Sequence, residues 1–238
     1  MPLTAVDYDT QSARPKTDHS STSLAGFTLT QKGCPARVGT EEYIAKKYLE
    51  IHDAHLTHFL PLLLSVSHND AMMGAVGLGP GQYRPMFLEQ YLDTPIEQKL
   101  AAFTNQPFDR DSVVEIGNLA VSHQGFSTIL FIVMAMALRE AGYQWMAFTI
   151  TTQVEKIIAR LGFRPTYLID ADPRYLGQHG SDWGSYYQNQ PKVMFGNLDS
   201  IAEIAGGKRR LRGLIEQYQC SISDVAKTLS GFKRKVSE

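Results

Sequence analysis

The feature that most constrains this chain is the stretch VVEIGNLAVSHQGFSTILF at residues 113–131. Its first nine residues are mostly apolar and end at a polar, glycine-containing turn, which is typical of a buried strand. The turn opens into GFSTILFIVMAMALREAGY, an almost wholly apolar segment of helical length. A helix that is apolar all round is buried against other elements. The stretch therefore predicts a strand, a turn and a helix that packs on a sheet.

The flanking segments extend the same pattern. Hydrophobic periodicity predicts a first helix from Thr40, an antiparallel hairpin from FLPLLLSV and AMMGAVGL, and a mainly helical MFLEQYLDTPIEQKLAAF with a break at 93–95. Beyond the long helix it predicts a strand at WMAFTITT, a short helix at QVEKIIARLGF and late strands at PTYLID and DWGSYYQNQPKVMFG. The order predicts an α/β (α+β) domain whose mixed central sheet is flanked by helices.

Composition changes at both ends of this domain. Residues 1–38 are rich in Ser, Thr, Pro and charge, which predicts a flexible N-terminal arm. We place the domain at 39–198. Residues 199–238 form a basic amphipathic tail, predicted to be helical with a break around Ser221.

Charge and cysteine content narrow the function classes. The formal net charge is -1 and the pI is about 6.7, so no basic field indicates nucleic-acid binding. Cys34 and Cys220 are in neither a CxxC nor a metal-ligand spacing. The longest apolar stretch, 126–138, is shorter than the ~20 residues that span a bilayer. These features predict a cytoplasmic protein in a reducing compartment.

The turn at 123–128 has the chemistry of an anion site. The first N–H groups of a helix lack partners within the helix, and the helix dipole behind them favours an anion such as pyrophosphate. Gly125 lets a ligand approach the backbone, and Ser127 and Thr128 add hydroxyl donors. An ordinary strand-to-helix connection with a glycine explains the same pattern equally well.

LAVSHQGFSTILF and QWMAFTITTQVEKIIARLGFRP resemble the GNAT acyltransferase superfamily, in which this turn cradles the pyrophosphate of acyl-CoA. The resemblance implies a GNAT-like fold and acyl-CoA or a phosphopantetheine-linked acyl donor as co-substrate, with no tightly bound cofactor. It also implies a donor-binding set: Leu119, Ala120, Val121, His123, Gln124, Gly125, Phe126, Ser127 and Thr128. The loop departs from the family pattern in its single glycine, and Ile157 and Ile158 replace the usual general-acid Tyr.

EIGNLAV (115–121) is similar to the E-I/V-S-R-L/F-A-V segment of acyl-homoserine-lactone synthases and N-acyl amino acid synthases. The resemblance implies that Glu115 orients or deprotonates an amine acceptor. Asn118 stands where those enzymes have an Arg, and we count it with Glu115 as a candidate catalytic residue. The alternatives for Glu115 are a structural salt bridge and a solvated side chain on an edge strand.

Most of the chain resembles the thermostable hemolysin family, through FLEQYLDTPIE, VVEIGNLAV, WMAFTITT, RLGFRP, ADPRYLG and WGSYYQNQPKVMFG in that order. The resemblance implies a GNAT-like fold and, by analogy, acyl transfer. In FLEQYLD, Glu89 precedes Asp93 by four residues, which on a helix puts both carboxylates on one side. Glu89 is therefore a candidate for receiving a cationic amine, and a solvated helix face is the alternative.

Three other groups have mainly structural interpretations. His52, His55 and His58 lack a completing motif, which favours a polar helix end over a metal site. The aromatic residues of 183–187 favour core with one ring exposed to a pocket. KRRLR (208–212) could bind an acidic carrier protein or an anionic membrane surface, although a helix packed on the domain is favoured.

The first functional hypothesis is an acyltransferase that moves an acyl group from acyl-carrier protein or acyl-CoA to a small-molecule amine acceptor. The alternatives are a membrane-active hemolysin-type protein and a catalytically inactive GNAT-like binding module. A homodimer is compatible with an exposed edge strand in the late hairpin.

Overall fold

The computed structural model describes residues 2–3, 23–83 and 85–236. Within them, eight strands form one mixed sheet in the order β2-β3-β4-β5-β1-β6-β8-β7. The strands are β1 (Pro2–Leu3), β2 (Gly26–Gln31), β3 (Leu62–His68), β4 (Ala71–Pro80), β5 (Val113–Val121), β6 (Trp145–Ile150), β7 (Thr166–Asp170) and β8 (Lys192–Asn197). β1, β5 and β6 run parallel, and the other neighbours are antiparallel.

Helices cover both faces of this sheet. The α-helices in the described residues are α1 (Arg37–His52), α2 (Ile96–Thr104), α3 (Gln124–Glu140), α4 (Thr152–Arg160), α5 (Leu198–Gly207), α6 (Arg209–Gln217) and α7 (Gln219–Val236). Short 3-10 segments lie at Phe87–Tyr91, Arg110–Ser112, Pro173–Trp183 and Tyr186–Asn189. The predicted α/β architecture, with a mixed central sheet flanked by helices, is confirmed.

The predicted hairpin is β3 and β4, which are joined at Asn69 and Asp70. Both turn residues have positive φ, 49° and 59°. Asn and Asp tolerate this left-handed conformation better than other side chains, and paired positive φ values match the twist of a tight hairpin. The turn therefore fixes the register of the two strands at this side of the sheet.

Alternation along β5 divides the core into two layers. Val114 and Ile116 face the larger layer, where α3 and the C-terminal helices pack. Val113 and Ala120 face the second layer, which contains α1 and the 3-10 segment at Phe87–Tyr91. Successive strand residues point to opposite faces. Because Glu115 lies between Val114 and Ile116, it faces the second layer, on the side away from α3.

Part of the late-strand prediction is wrong. PTYLID contains β7, but in DWGSYYQNQPKVMFG the strand begins only at Lys192, and Tyr186–Asn189 forms a 3-10 turn. The N–H of Ser185 donates to the carbonyl oxygen of His52 at 2.8 Å. Gly184 has φ +49°, and a Cβ there would lie 2.0 Å from that same oxygen. This close packing against the end of α1 bends the chain out of the extended conformation.

The tail and the arm also differ from the sequence-based expectation. The tail breaks at Lys208 and Tyr218 rather than around Ser221. Its apolar side is part of the larger core layer, through Leu211, Ile222 and Leu229. Of the predicted arm, Gly26–Gln31 forms strand β2, and 4–22 lies outside the described residues. The domain boundaries as such stay a prediction.

Candidate functional site

Strands β5 and β6 diverge halfway along their length. They are paired from Val113 and Trp145 to Ile116 and Phe148, and the direct pairing stops there. On the other side of β5, the register with β4 shifts between Ala75 and Gly77. An extra residue in one strand bends it and increases its twist. The bulge therefore turns β5 away from β6 and opens a gap in the middle of the sheet.

Asn118 is the residue at this bulge. Its φ is +49°, a left-handed conformation that Asn adopts more readily than most side chains. The side chain is fully buried, and its Oδ1 accepts a hydrogen bond of 3.0 Å from the N–H of Leu60. A Cβ at Gly77 would lie 2.8 Å from that oxygen. Asn118, a predicted catalytic residue, is thus held in place by the segment that precedes β3.

The gap contains β1. Leu3 pairs with Leu119 of β5 and with Ile150 of β6, and Pro2 pairs with Thr149. A gap inside a sheet exposes backbone N–H and C=O groups on both of its sides, and these groups need partners. The two residues of β1 supply them over a short length.

The predicted anion-binding turn lies beside the gap. Helix α3 begins at Gln124, directly after β5 and the N-cap residue His123, whose side chain makes no capping hydrogen bond to the described backbone. A Cβ on Gly125 would have no atom within 4 Å. The space next to the Gly125 Cα is therefore open.

An apolar cavity of ≈ 50 Å³ extends from this helix start between α3, α4 and the diverging strands. Ser127 and Phe131 line it on α3, Ile157 on α4, Leu161 directly after α4, and Leu119 on β5. Ile157 and its neighbour Ile158 occupy the place where the GNAT pattern has its Tyr, and both contribute apolar surface to this cavity. The predicted donor-binding residues Leu119 and Ser127 are thus brought to one cavity.

Glu115 lies on the opposite face of the sheet. It is 1% exposed, and its two carboxylate oxygens accept hydrogen bonds from the N–H groups of Phe87 (2.8 Å) and Leu88 (3.1 Å). These N–H groups are the first of a 3-10 segment, where a carboxylate is favourable because such groups lack helical partners. Glu115 therefore joins β5 to the segment Phe87–Tyr91.

Glu89 belongs to an ion-pair cluster with Arg110 and Glu97. Arg110 Nη2 donates to Glu89 Oε2 at 2.8 Å, and Arg110 Nη1 donates to Glu97 at 2.7 Å. Glu89 also accepts from the N–H groups of Met86 and Ile96, both at 2.9 Å. Burial raises the pKa of the Glu89 carboxyl, but the hydrogen bonds from Arg110 and from these N–H groups outweigh it and lower the pKa below its usual value.

The predicted shared helix face for Glu89 and Asp93 is wrong. The 3-10 segment ends at Tyr91, and Leu92 is extended, with φ -102° and ψ 149°. Asp93 lies near the surface and pairs with Lys99 at 2.9 Å. Sequence reasoning also missed Arg110, because a single Arg in a loop before a strand carries no pattern that ties it to acids 13 and 21 residues away.

Residues 30–201 match the family model described as thermostable hemolysin. The chain belongs to the thermostable hemolysin family. This family membership, which the motifs predicted, is confirmed. No curated protein matches the chain.

Solved structures of other proteins are similar to this thermostable hemolysin chain in fold. The crystal structure of the AHL synthase LasI has a TM-score of 0.52 and 10% identity, over 74% of this chain and 91% of that chain. The CoA-dependent acyl-homoserine lactone synthase BjaI, solved with SAM and isopentyl-CoA, has a TM-score of 0.53 and 13% identity, over 82% and 89%. FeeM, an N-acyl amino acid synthase from uncultured soil microbes, has a TM-score of 0.49 and 11% identity, over 79% and 98%. The predicted GNAT-like fold is confirmed by the first two.

On the Glu115 side of this thermostable hemolysin chain, an aromatic cleft of ≈ 180 Å³ lies over the 3-10 segment. Phe87, Gln90, Trp183 and Asp182 contribute to its lining, with His55 at the edge. A second, wider cleft of ≈ 580 Å³ shares Phe87 and Gln90 with it. Trp183 is otherwise buried, which agrees with the expectation of core with one ring at a pocket.

The remaining sequence candidates are dispersed. His52 is buried among the rings of Tyr48 and Tyr186, and burial lowers its pKa, whereas His55 and His58 are exposed. Among the described residues, no three His, Cys, Asp or Glu side chains are grouped as a metal site would require. In the described part of the chain, every helix is too short or too polar to cross a bilayer.

Proposed function

We propose that this chain is an N-acyltransferase that moves an acyl group from an acyl thioester to a small amine. The observation that carries the proposal is the gap between β5 and β6, which lies beside the N-terminus of α3 and above an apolar cavity. A thioester donor has an anionic end, an extended arm and an apolar acyl group. The N-terminus of α3 is complementary to the anionic end, the gap to the arm, and the cavity to the acyl group.

The anionic part of the donor is assigned to the start of α3. Backbone N–H groups in the turn 123–128 and the helix dipole favour phosphate there, and Gly125 leaves the approach open. The donor arm extends along Leu119–Val121 of β5, and the acyl group enters the cavity between α3 and α4. The same features serve acyl-CoA and an acyl-carrier protein, since both present a phosphopantetheine arm.

The amine acceptor is assigned to the opposite face, where the aromatic cleft is lined by Phe87 and Trp183 with Asp182 beside them. A carboxylate attracts an ammonium group, and aromatic faces favour cations. The acceptor and the acyl cavity are then on different faces of the sheet. The gap between β5 and β6 is where they meet.

The reaction requires a neutral amine. Its nitrogen attacks the thioester carbonyl carbon, the C–N bond forms, the C–S bond breaks, and the proton lost by nitrogen ends on the leaving thiolate. Backbone N–H groups at the gap would stabilise the oxyanion of the tetrahedral intermediate. The sequence predicts Glu115 as the residue that deprotonates or orients the amine. Because both of its oxygens accept backbone N–H groups, we assign it instead as a positioning residue that holds Phe87 at the acceptor cleft. Asn118 and Glu89 are also assigned as positioning residues. Asn118 holds the bulge beside the gap, and Glu89 holds the segment Phe87–Tyr91.

The test is mass spectrometry of reactions that contain the purified chain, octanoyl-CoA or octanoyl-carrier protein, and a panel of amines and amino acids. We expect an N-octanoyl product that depends on the chain. Binding of octanoyl-CoA in calorimetry without any product would favour a binding module, and no binding of either donor would contradict the proposal.

Glu115→Gln and Glu115→Asp separate the two roles of this carboxylate. A positioning role predicts that both variants raise the KM for the amine, with an unchanged pH profile of kcat. A base role predicts a large loss of kcat in Glu115→Gln and rescue by Glu115→Asp. Wild-type turnover by Glu115→Gln would exclude the base role.

A further inference from the structure

The occupant of the gap between β5 and β6 is the chain itself. Pro2 and Leu3 lie between the diverging strands, parallel to both. Leu3 pairs with Leu119, the first of the residues assigned to the donor arm. A donor arm that extends along β5 therefore needs the backbone positions that β1 occupies.

This occupant is a weak partner for the gap. It has two residues, and one of them is a proline, which has no N–H to donate to a neighbouring strand. It also leaves Thr149, which is fully buried, with a hydroxyl that has no hydrogen-bond partner among the described residues. Buried polar groups are normally paired, so a ligand that forms a hydrogen bond with this hydroxyl would bind the gap more favourably than β1 does.

The chemistry of a better occupant follows from these groups. A strand-binding gap takes an extended chain with N–H and C=O groups spaced along it. A pantetheine arm contains two secondary amides in a flexible linear chain, so it offers both donors and acceptors where Pro2 offers only an acceptor.

We infer that Pro2–Leu3 is a built-in competitor, which occupies the arm-binding gap until an amide-bearing acyl donor displaces it. This inference rests on the proposed function. When only a fraction of the molecules is competent to bind, the apparent Kd rises by the inverse of that fraction. If β1 fills the gap in about 90% of molecules, donor affinity is reduced about tenfold.

A reversible disulfide between positions 3 and 119 tests the inference in the full chain. Neighbouring strands are about 4.8 Å apart, within the range of Cα separations that a disulfide bridges. The variant Leu3→Cys/Leu119→Cys is oxidised with diamide, and its affinity for octanoyl-CoA and octanoyl-pantetheine is measured by calorimetry before and after reduction. We expect at least tenfold weaker binding in the oxidised form and recovery on reduction.

The single variants Leu3→Cys and Leu119→Cys, treated in the same way, control for the native cysteines Cys34 and Cys220. Leu3→Pro, which removes the remaining N–H of β1, should bind both ligands at least threefold more tightly than wild type. Equal affinity of the oxidised and reduced double variant would overturn the inference and leave the proposed function standing. Failure to form the disulfide would do the same. If octanoyl-CoA, octanoyl-pantetheine and octanoyl-carrier protein bind to no form of the protein, the proposed function fails as well.

Discussion

The N–H of Phe87 donates a hydrogen bond of 2.8 Å to Oε2 of Glu115, which joins the central strand β5 to a segment that is 28 residues distant in sequence. The N–H of Leu88 donates to the other carboxylate oxygen at 3.1 Å. The same segment is tied to α2 through Glu89. Two carboxylates that look catalytic in the sequence thus fix the wall of the aromatic cleft.

We predict that Glu115→Gln destabilises the chain by about 1–3 kcal/mol, because its amide NH₂ would face a backbone N–H that loses its acceptor. Urea unfolding followed by circular dichroism measures the difference. Glu50→Gln, at a half-exposed surface pair with Lys47, is the matched control and should stay within about 0.5 kcal/mol of wild type. A free energy of unfolding for Glu115→Gln equal to that of the control would contradict the structural role.

The Glu89–Arg110 pair predicts a pH dependence. The pKa of Glu89 is lower in the folded chain than its usual value of 4.5, so the folded state binds this proton less readily than the unfolded state does. The stabilisation is therefore complete above pH 4.5 and is lost as the pH falls through the lower, folded pKa. We expect Glu89→Gln to lower stability near pH 7 and to show a shallower loss in acid than wild type. Parallel pH profiles of the two unfolding free energies would refute this.

Removal of the Arg110 cation should lower the stability more than Glu89→Gln does. Arg110 is buried, and Arg110→Met leaves Glu89 and Glu97 facing each other without their shared partner. Loss of one member of a buried ion pair costs about 3–5 kcal/mol. The double variant Glu89→Gln/Arg110→Met should recover part of this loss, which thermal or urea unfolding of the set will measure. Additive effects would show that the pair is not coupled.

Asn118 combines a left-handed backbone with a buried hydrogen bond, and two substitutions separate them. Asn118→Gly keeps the backbone conformation and loses the bond to the N–H of Leu60. Asn118→Ala loses both, so it should be less stable than Asn118→Gly by about 1–2 kcal/mol. Urea unfolding of the two variants gives the difference directly. The reverse order would mean that the bulge is not under conformational constraint.

Substitution of Gly125 should weaken donor binding without lowering the stability of the chain. A Cβ at Gly125 meets open space, so Gly125→Val should leave the melting temperature within about 2 °C of wild type. The same side chain would shield the helix N-terminus from a phosphate, and we expect about tenfold weaker binding of octanoyl-CoA in calorimetry. Gly231→Ala, at a second position with open space around the Cβ, is the control for both measurements. Unchanged donor affinity in Gly125→Val would remove the turn from the donor site.

Local patterns sufficed for the elements that carry strong periodicity or turn chemistry. The strand Val113–Val121, the helix Gln124–Glu140 and the hairpin around Asn69 follow from apolar runs and turn residues that act over a few positions. These elements define the α/β fold and the place of the predicted anion-binding turn. The resemblance to the thermostable hemolysin family added the same fold and is confirmed.

Tertiary structure decided what the polar residues of these elements contact. The sequence by itself determined that Glu115 lies on a strand and that a helix begins at the turn that contains Gly125. It did not determine that Glu115 faces Phe87, that Arg110 joins Glu89 to Glu97, or that Pro2 and Leu3 fill the gap between β5 and β6. The physical reason is one of range, since periodicity and capping act within a turn or two of chain. Hydrogen bonds and ion pairs between distant segments depend on the packing that brings those segments together.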